Sequence, residues 1–194
     1  MEKASKFLTD YVIHKGMVNE EDRSMYEYGF VITMEVGLFA IFCLIMTLHL
    51  HMFIEGILFF VIFVPLRSYT GGLHLEKYCS CLILSCITFS GILIVVKHIQ
   101  ISMWVSFVIL FVLTIFVYML YPVENINRKV DREENQYFKT KLKRFLFMDM
   151  LIAVLCIILK SDSELFLMAA VFTVVVITML IGKYKNKNIY LTSE

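Results

Sequence analysis

The sequence predicts an all-α polytopic integral membrane protein, with six hydrophobic helical segments and an N-terminal amphipathic helix. Three observations carry this. Hydrophobic residues make up 59% of the chain and mean hydropathy is +0.77, where a soluble domain averages roughly 45–50% apolar. The apolar residues gather in runs near the length that crosses a bilayer, about 20 residues with a range of roughly 17–25. In lipid the backbone must satisfy its own hydrogen bonds, so such runs are read as helices.

The chain is read as a single membrane domain over residues 1–194, in three parts: an N-terminal segment 1–28, a helical bundle 29–182 and a tail 183–194. In the first part Ala4, Phe7, Leu8, Tyr11 and Val12 recur at helical spacing, with Lys3, Lys6 and Asp10 elsewhere on the wheel. This fits an interfacial amphipathic helix, and equally an ordinary surface helix. No apolar stretch with a small-residue cleavage site is seen there, so no signal peptide is expected. The hydrophobic segments are 29–49, 53–66, 79–96, 102–121, 145–159 and 165–182. Those at 53–66 and 145–159 hold 14 and 15 residues. They either borrow flanking residues or span incompletely.

Charge orients the bundle. With six spans, 16 of the 18 Lys and Arg fall on one side, in 1–28, 67–78, 122–144 and 183–194, and only Lys97 and Lys160 on the other. The positive-inside rule puts both termini in the cytoplasm of a multi-pass membrane protein. The formal net charge of +1 gives no reason to expect a nucleic-acid partner. Five cysteines, two of them inside apolar runs (Cys43 and Cys156), do not make a disulfide framework.

The segment "RSYTGGLHLEKYCSC", Arg67 to Cys81, carries the chemistry. A plain turn would explain Gly71-Gly72 and its basic flanks. A metal site would draw on His74, Cys79, Cys81 and Cys86, but Cys-x-Cys on one helix points its sulfurs about 200° apart at 3.6 residues per turn. No metal or other cofactor is expected. A Cys–His nucleophile pair is the third reading. On one straight helix His74 and Cys81 would lie about 10 Å apart along the axis, beyond the roughly 2.6–3.2 Å such a pair needs. The chain must therefore fold back between them. A cysteine in the first turn of the third hydrophobic helix is favoured as thiolate by the positive helix end. On that argument Cys79 and Cys81 are equal.

Arg67-x4-Gly72-x-His74-x6-Cys81 resembles the signature of the accessory gene regulator B (AgrB) family, membrane cysteine endopeptidases that process a quorum-sensing propeptide. The resemblance extends to residues 121–144, with Pro122, Asn127 and Arg128 matching a basic loop after the fourth span. Leu75, where the family has a small residue, is a departure. The resemblance implies His74 and Cys81 as the catalytic pair, choosing Cys81 over Cys79, with Arg67 and Gly72 supporting them. It implies an AgrD-like propeptide substrate with an acidic tail, cleavage before that tail through a thioester acyl-enzyme, and a cyclic thiolactone product. It also implies a bacterial cytoplasmic membrane location and a possible homodimer.

Two carboxylates in apolar runs, Glu35 and Asp149, are candidates to orient His74; headgroup-level acids are the plainer reading of both. Arg128, Lys129, Lys139, Lys141, Lys143 and Arg144 are candidates to hold an acidic tail, besides their affinity for anionic membrane lipids. Two other functions compete: a small transporter or channel lined by Glu35, Asp149 and His74, and a non-catalytic scaffold that presents the propeptide.

Overall fold

A computed structural model describes residues 2–70, 78–122 and 132–192, with side chains over 3–70, 80, 82–122 and 135–184. Seven α-helices follow one another: α1 (Glu2–His14), α2 (Arg23–Leu50), α3 (Phe53–Thr70), α4 (Tyr78–His98), α5 (Met103–Leu120), α6 (Arg132–Leu159) and α7 (Asp162–Thr192), with a 3-10 turn at Glu20–Asp22. Among the described residues no strand is present.

Every helix except α5 runs past its apolar segment. Helical hydrogen bonding continues into polar flanks, whereas hydropathy marks only the part suited to lipid. Thus the 14-residue run at 53–66 becomes the 18-residue α3 and is long enough to cross a membrane. So are Glu20–Leu50, Met103–Leu120 and Asp162–Tyr184, giving four candidate spans among the described residues. The expected count of six is not reached on this criterion. In α4 the apolar stretch Leu82–His98 is shorter. In α6 the charged sequence Arg132–Arg144 occupies the first half, and the apolar run only the second.

α7 is the central post. It packs against α3, α4, α5 and α6, and 56% of its apolar window is buried against 17% for α2 and α5. Leu165, Met168, Phe172, Val175 and Met179, spaced three or four apart, are fully buried. The outer helices expose long apolar faces, such as Ile41, Leu44, Ile45 and Leu48 on α2. A soluble monomer rarely shows apolar patches of that extent; lipid is the solvent that suits them.

Local caps make one end of the bundle. α2 ends in a Schellman motif, with His51 in the left-handed region (φ 57°), His51 N–H donating to the Leu48 carbonyl and Met52 N–H to the Thr47 carbonyl. α6 ends the same way through Lys160 (φ 54°) and Ser161, which donate to the Ile157 and Cys156 carbonyls. Across this end Lys97 Nζ donates to the Leu50 carbonyl at 3.1 Å, and Ser163 Oγ to Glu55 Oε1 at 3.5 Å. Just inside it Gly56 of α3 lies against Thr47 of α2, so closely that a Cβ at Gly56 would collide with the Thr47 side chain. Small residues permit this kind of helix approach.

The N-terminal helix forms as expected, and its faces are informative. Ser5 and Thr9 are buried against α2, where Ser5 Oγ donates to the Glu27 carbonyl at 2.5 Å. Arg23 ties α1 to α2 through Asp10, and also pairs with Glu20 of the 3-10 turn and Glu27 of its own helix. Phe7 and Tyr11 remain 71% and 54% exposed. A surface helix packed by its apolar side would do the reverse; an interfacial helix keeps that side for the membrane.

Candidate functional site

The site is assembled at the other end of the bundle, where α3 and α5 finish and α4 and α6 begin. Five phenylalanines define a common level between α2, α3 and α4. Phe59 stacks on Phe63 with centroids 4.9 Å apart and meets Phe89 edge-on at 4.9 Å. Phe39 meets Phe60 at 5.6 Å and Phe89 at 6.2 Å. Depth can be counted from this layer at 1.5 Å per residue along each helix. Glu35 is one turn from Phe39, about 6 Å towards the α4 start. Arg67 is eight residues past Phe59, and Cys81 eight before Phe89, so both lie about 12 Å from the layer.

Asp149 reaches the same slab from α6. Tyr69 of α3 stacks on Phe145 at 5.4 Å and touches Phe138 at 5.9 Å. Tyr69 is ten residues past Phe59, or about 15 Å below the layer, which puts Asp149 about 9 Å below it. Four positions from four helices therefore fall within roughly one helical turn of depth.

The faces are also specific. On α2, Val31, Cys43 and Thr47 are buried and Phe39 packs on the core, and Glu35 lies on that same stripe and is half-buried. Asp149 lies on the stripe Leu142–Leu146–Ala153–Cys156 and is 3% exposed. Its Oδ2 has no hydrogen-bond partner among the described residues. Arg67 is half-buried between Leu66 and Thr70, which are buried. Glu35 and Arg67 both engage partners.

Cys79 and Cys81 occupy the first turn of α4, which begins at Tyr78. Gly72, His74, Asn127, Arg128 and Lys129 lie outside the described residues, as does the expected fold-back between His74 and Cys81. Of the basic residues, Lys139 and Lys143 lie over the Tyr118 ring at 5.8 and 5.6 Å, and Lys141 over Tyr137 at 5.3 Å. Arg144 is exposed. Tyr121 Oη donates to the Asn135 side-chain carbonyl at 2.8 Å and approaches its backbone carbonyl at 3.1 Å, tying the end of α5 to α6. The sequence reading missed the roles of Tyr69, Tyr118 and Tyr121. Their signal is position: each sits within the last turn or just past the end of its helix.

An all-helical membrane bundle with lipid-facing outer helices, and with ionisable residues on its inner faces at one end, is the class of protein defined here. The family model for accessory gene regulator B (AgrB) matches residues 5–182, nearly the whole chain, and the protein belongs to that family. No curated protein and no solved structure matches the chain.

Proposed function

We propose that this protein is a membrane cysteine endopeptidase that processes a quorum-sensing propeptide of the AgrD type. The observation that carries the reading is the shared depth of Arg67, Cys81, Glu35 and Asp149 at the end of the bundle where α4 begins. Family membership and the Arg67–Gly72–His74–Cys81 spacing supply the chemistry. The aromatic layer supports the reading over a transporter. Five rings pack against one another between α2, α3 and α4, so apolar side chains lie next to Glu35 where a transporter lined by Glu35, Asp149 and His74 would need a polar path onward.

His74 takes the proton of the Cys81 thiol, helped by the helix start at Tyr78, where exposed N–H groups favour the thiolate. The sulfur attacks the carbonyl before the acidic tail. The tetrahedral intermediate collapses, the imidazolium gives its proton to the departing amine, and the tail leaves. A thioester joins the remaining peptide to Cys81. His74, neutral again, takes the proton of a cysteine thiol within that peptide, and its sulfur attacks the thioester carbonyl. The Cys81 thiolate departs, and the peptide closes as a thiolactone. Acyl energy is conserved because one thioester replaces another, and a site at the lipid boundary with little water protects it from hydrolysis. Glu35 or Asp149 orients the His74 imidazole, as the acid of a triad does. Arg67 and the exposed cations of α6 attract the tail. With cytoplasmic termini, this end of the bundle faces the compartment where the propeptide is made.

The test is cleavage of a synthetic propeptide by the purified protein in liposomes, followed by mass spectrometry. The wild-type protein releases the acidic tail and carries a hydroxylamine-sensitive adduct of the remaining peptide. Cys81→Ala releases none and forms no adduct, while Cys79→Ala retains both. Full cleavage by Cys81→Ala sinks the mechanism, and absence of cleavage by the wild-type protein favours the scaffold.

A further inference from the structure

The cations of α6 divide between opposite faces. At about 100° per residue, Lys139 and Lys143 share one side of the helix while Tyr137, Lys141 and Arg144 share the other. Lys139 and Lys143 converge on a single ring, Tyr118 in the last turn of α5. Like charges four residues apart repel on a helix. Among the described residues neither Lys139 nor Lys143 has an ion-pair partner. The surroundings then change sharply in polarity. Phe111 and Ile115, two turns and one turn before Tyr118 on α5, are 51% and 46% exposed, and Phe147, one turn beyond Lys143 on α6, is 65% exposed. The two helices are in contact, and Thr114 Oγ1 lies 3.7 Å from Met150 Sδ.

The geometry points to a binding site for an anionic phospholipid in the α5–α6 groove, with Lys139 and Lys143 on its phosphate and the apolar walls along its acyl chains. Two ammonium groups beside one aromatic ring offer a compact positive seat at the depth where aromatic residues meet headgroups. A phosphate bearing one negative charge relieves the lysine repulsion. Both lysines are exposed, so their ammonium groups stay open to the anion from beside the ring. Inorganic phosphate has the same charge chemistry but nothing for the Phe111, Ile115 and Phe147 walls. This assignment does not rest on the peptidase reading. It takes Lys139 and Lys143 from tail capture and leaves that role to Lys141 and Arg144, whose face is turned away from α5.

Native mass spectrometry tests it on protein purified in mild detergent and incubated with phosphatidylglycerol or phosphatidylcholine. The wild-type protein retains one phosphatidylglycerol through collisional activation that strips phosphatidylcholine. K139Q/K143Q lowers that retention at least tenfold, Tyr118→Leu lowers it several-fold, and K141Q/R144Q leaves it unchanged. K139R/K143R keeps retention near wild type, and serves also where the glutamine variant does not fold. Equal retention by wild type and K139Q/K143Q overturns the site, as does an equal loss in K141Q/R144Q. Displacement of the lipid by millimolar inorganic phosphate would also overturn it, since the walls would then contribute nothing.

Discussion

At one end of the bundle α2 turns into α3 through His51 and Met52, and α6 into α7 through Lys160 and Ser161. At the other, α3 meets α6 through Tyr69, Phe138 and Phe145, and α5 meets α6 through Tyr118 and Tyr121. The first end is built mainly from caps, tight turns and the Gly56–Thr47 approach, with two longer-range hydrogen bonds, Lys97 to Leu50 and Ser163 to Glu55, across it. The second is built from side chains that are distant in sequence, and it carries nearly all the charge. Tight hairpins fix which helices are antiparallel neighbours. They leave the opposite end to hold polar groups that no local motif requires. On the proposed function, the difference puts the local packing motifs and the chemistry at opposite ends of the same helices.

Asp149 gives the widest test of that separation. Its carboxyl is 3% exposed with Oδ2 unpartnered among the described residues, and an unsatisfied buried polar group costs roughly 1–3 kcal/mol. Asp149→Leu should raise the thermal unfolding midpoint in detergent and lower propeptide cleavage at least tenfold. Stability gained where activity is lost is the mark of a group kept for function. Asp149→Asn should lose cleavage without gaining stability. A leucine variant that cleaves normally would make Asp149 a structural remnant and leave Glu35 as the acid that orients His74.

Gly56 tests the other end. A Cβ there meets the Thr47 side chain, and forcing extra volume into a packed contact costs roughly 1–3 kcal/mol. Gly56→Ala should lower the unfolding midpoint while the surviving folded protein cleaves at the wild-type rate. Thr47→Ser, which removes the colliding methyl, should restore most of the loss in the double variant. If Gly56→Ala instead reduced cleavage per folded molecule, the two ends would be coupled.

Much of this was legible in the sequence, for reasons that also explain what was not. The apolar runs located helix centres because hydropathy reports what lipid accepts. Helix ends escaped: Arg132–Arg144 is rich in charged residues and still helical, since hydrogen bonding within a helix does not depend on apolar residues. Glu35 and Asp149 stood out because charge in an apolar run is expensive. Their inward faces were hidden, because a segment apolar on every side has no periodicity to show which side is buried. The pairing of Lys139 and Lys143 with Tyr118 depends on α5 lying beside α6, which no spacing within either helix reveals. In α1 the apolar positions were read correctly and the buried ones were not. Ser5 and Thr9 bury because each hydroxyl finds a backbone carbonyl, the Glu27 carbonyl for Ser5 and the Ser5 carbonyl for Thr9.

The smallest expected effect lies at Lys160. A non-glycine residue in the left-handed region costs roughly 1–2 kcal/mol, and glycine loses roughly 0.5–1 kcal/mol of that advantage through its freer unfolded chain. Lys160→Gly should therefore raise stability by up to about 1 kcal/mol, a shift of a few degrees in the unfolding midpoint. Lys160→Ala keeps the strain and should change little. Neither should alter cleavage, since Lys160 closes the α6–α7 turn and lies a whole helix run from Cys81. Lysine is one of only two cations expected on that side, so orientation must be checked by labelling the termini. If Lys160→Gly keeps its orientation and gains stability with unchanged cleavage, the capped end is a free variable for engineering. If it loses stability, the lysine side chain itself supports the turn, and local backbone conformation is not what holds that end together.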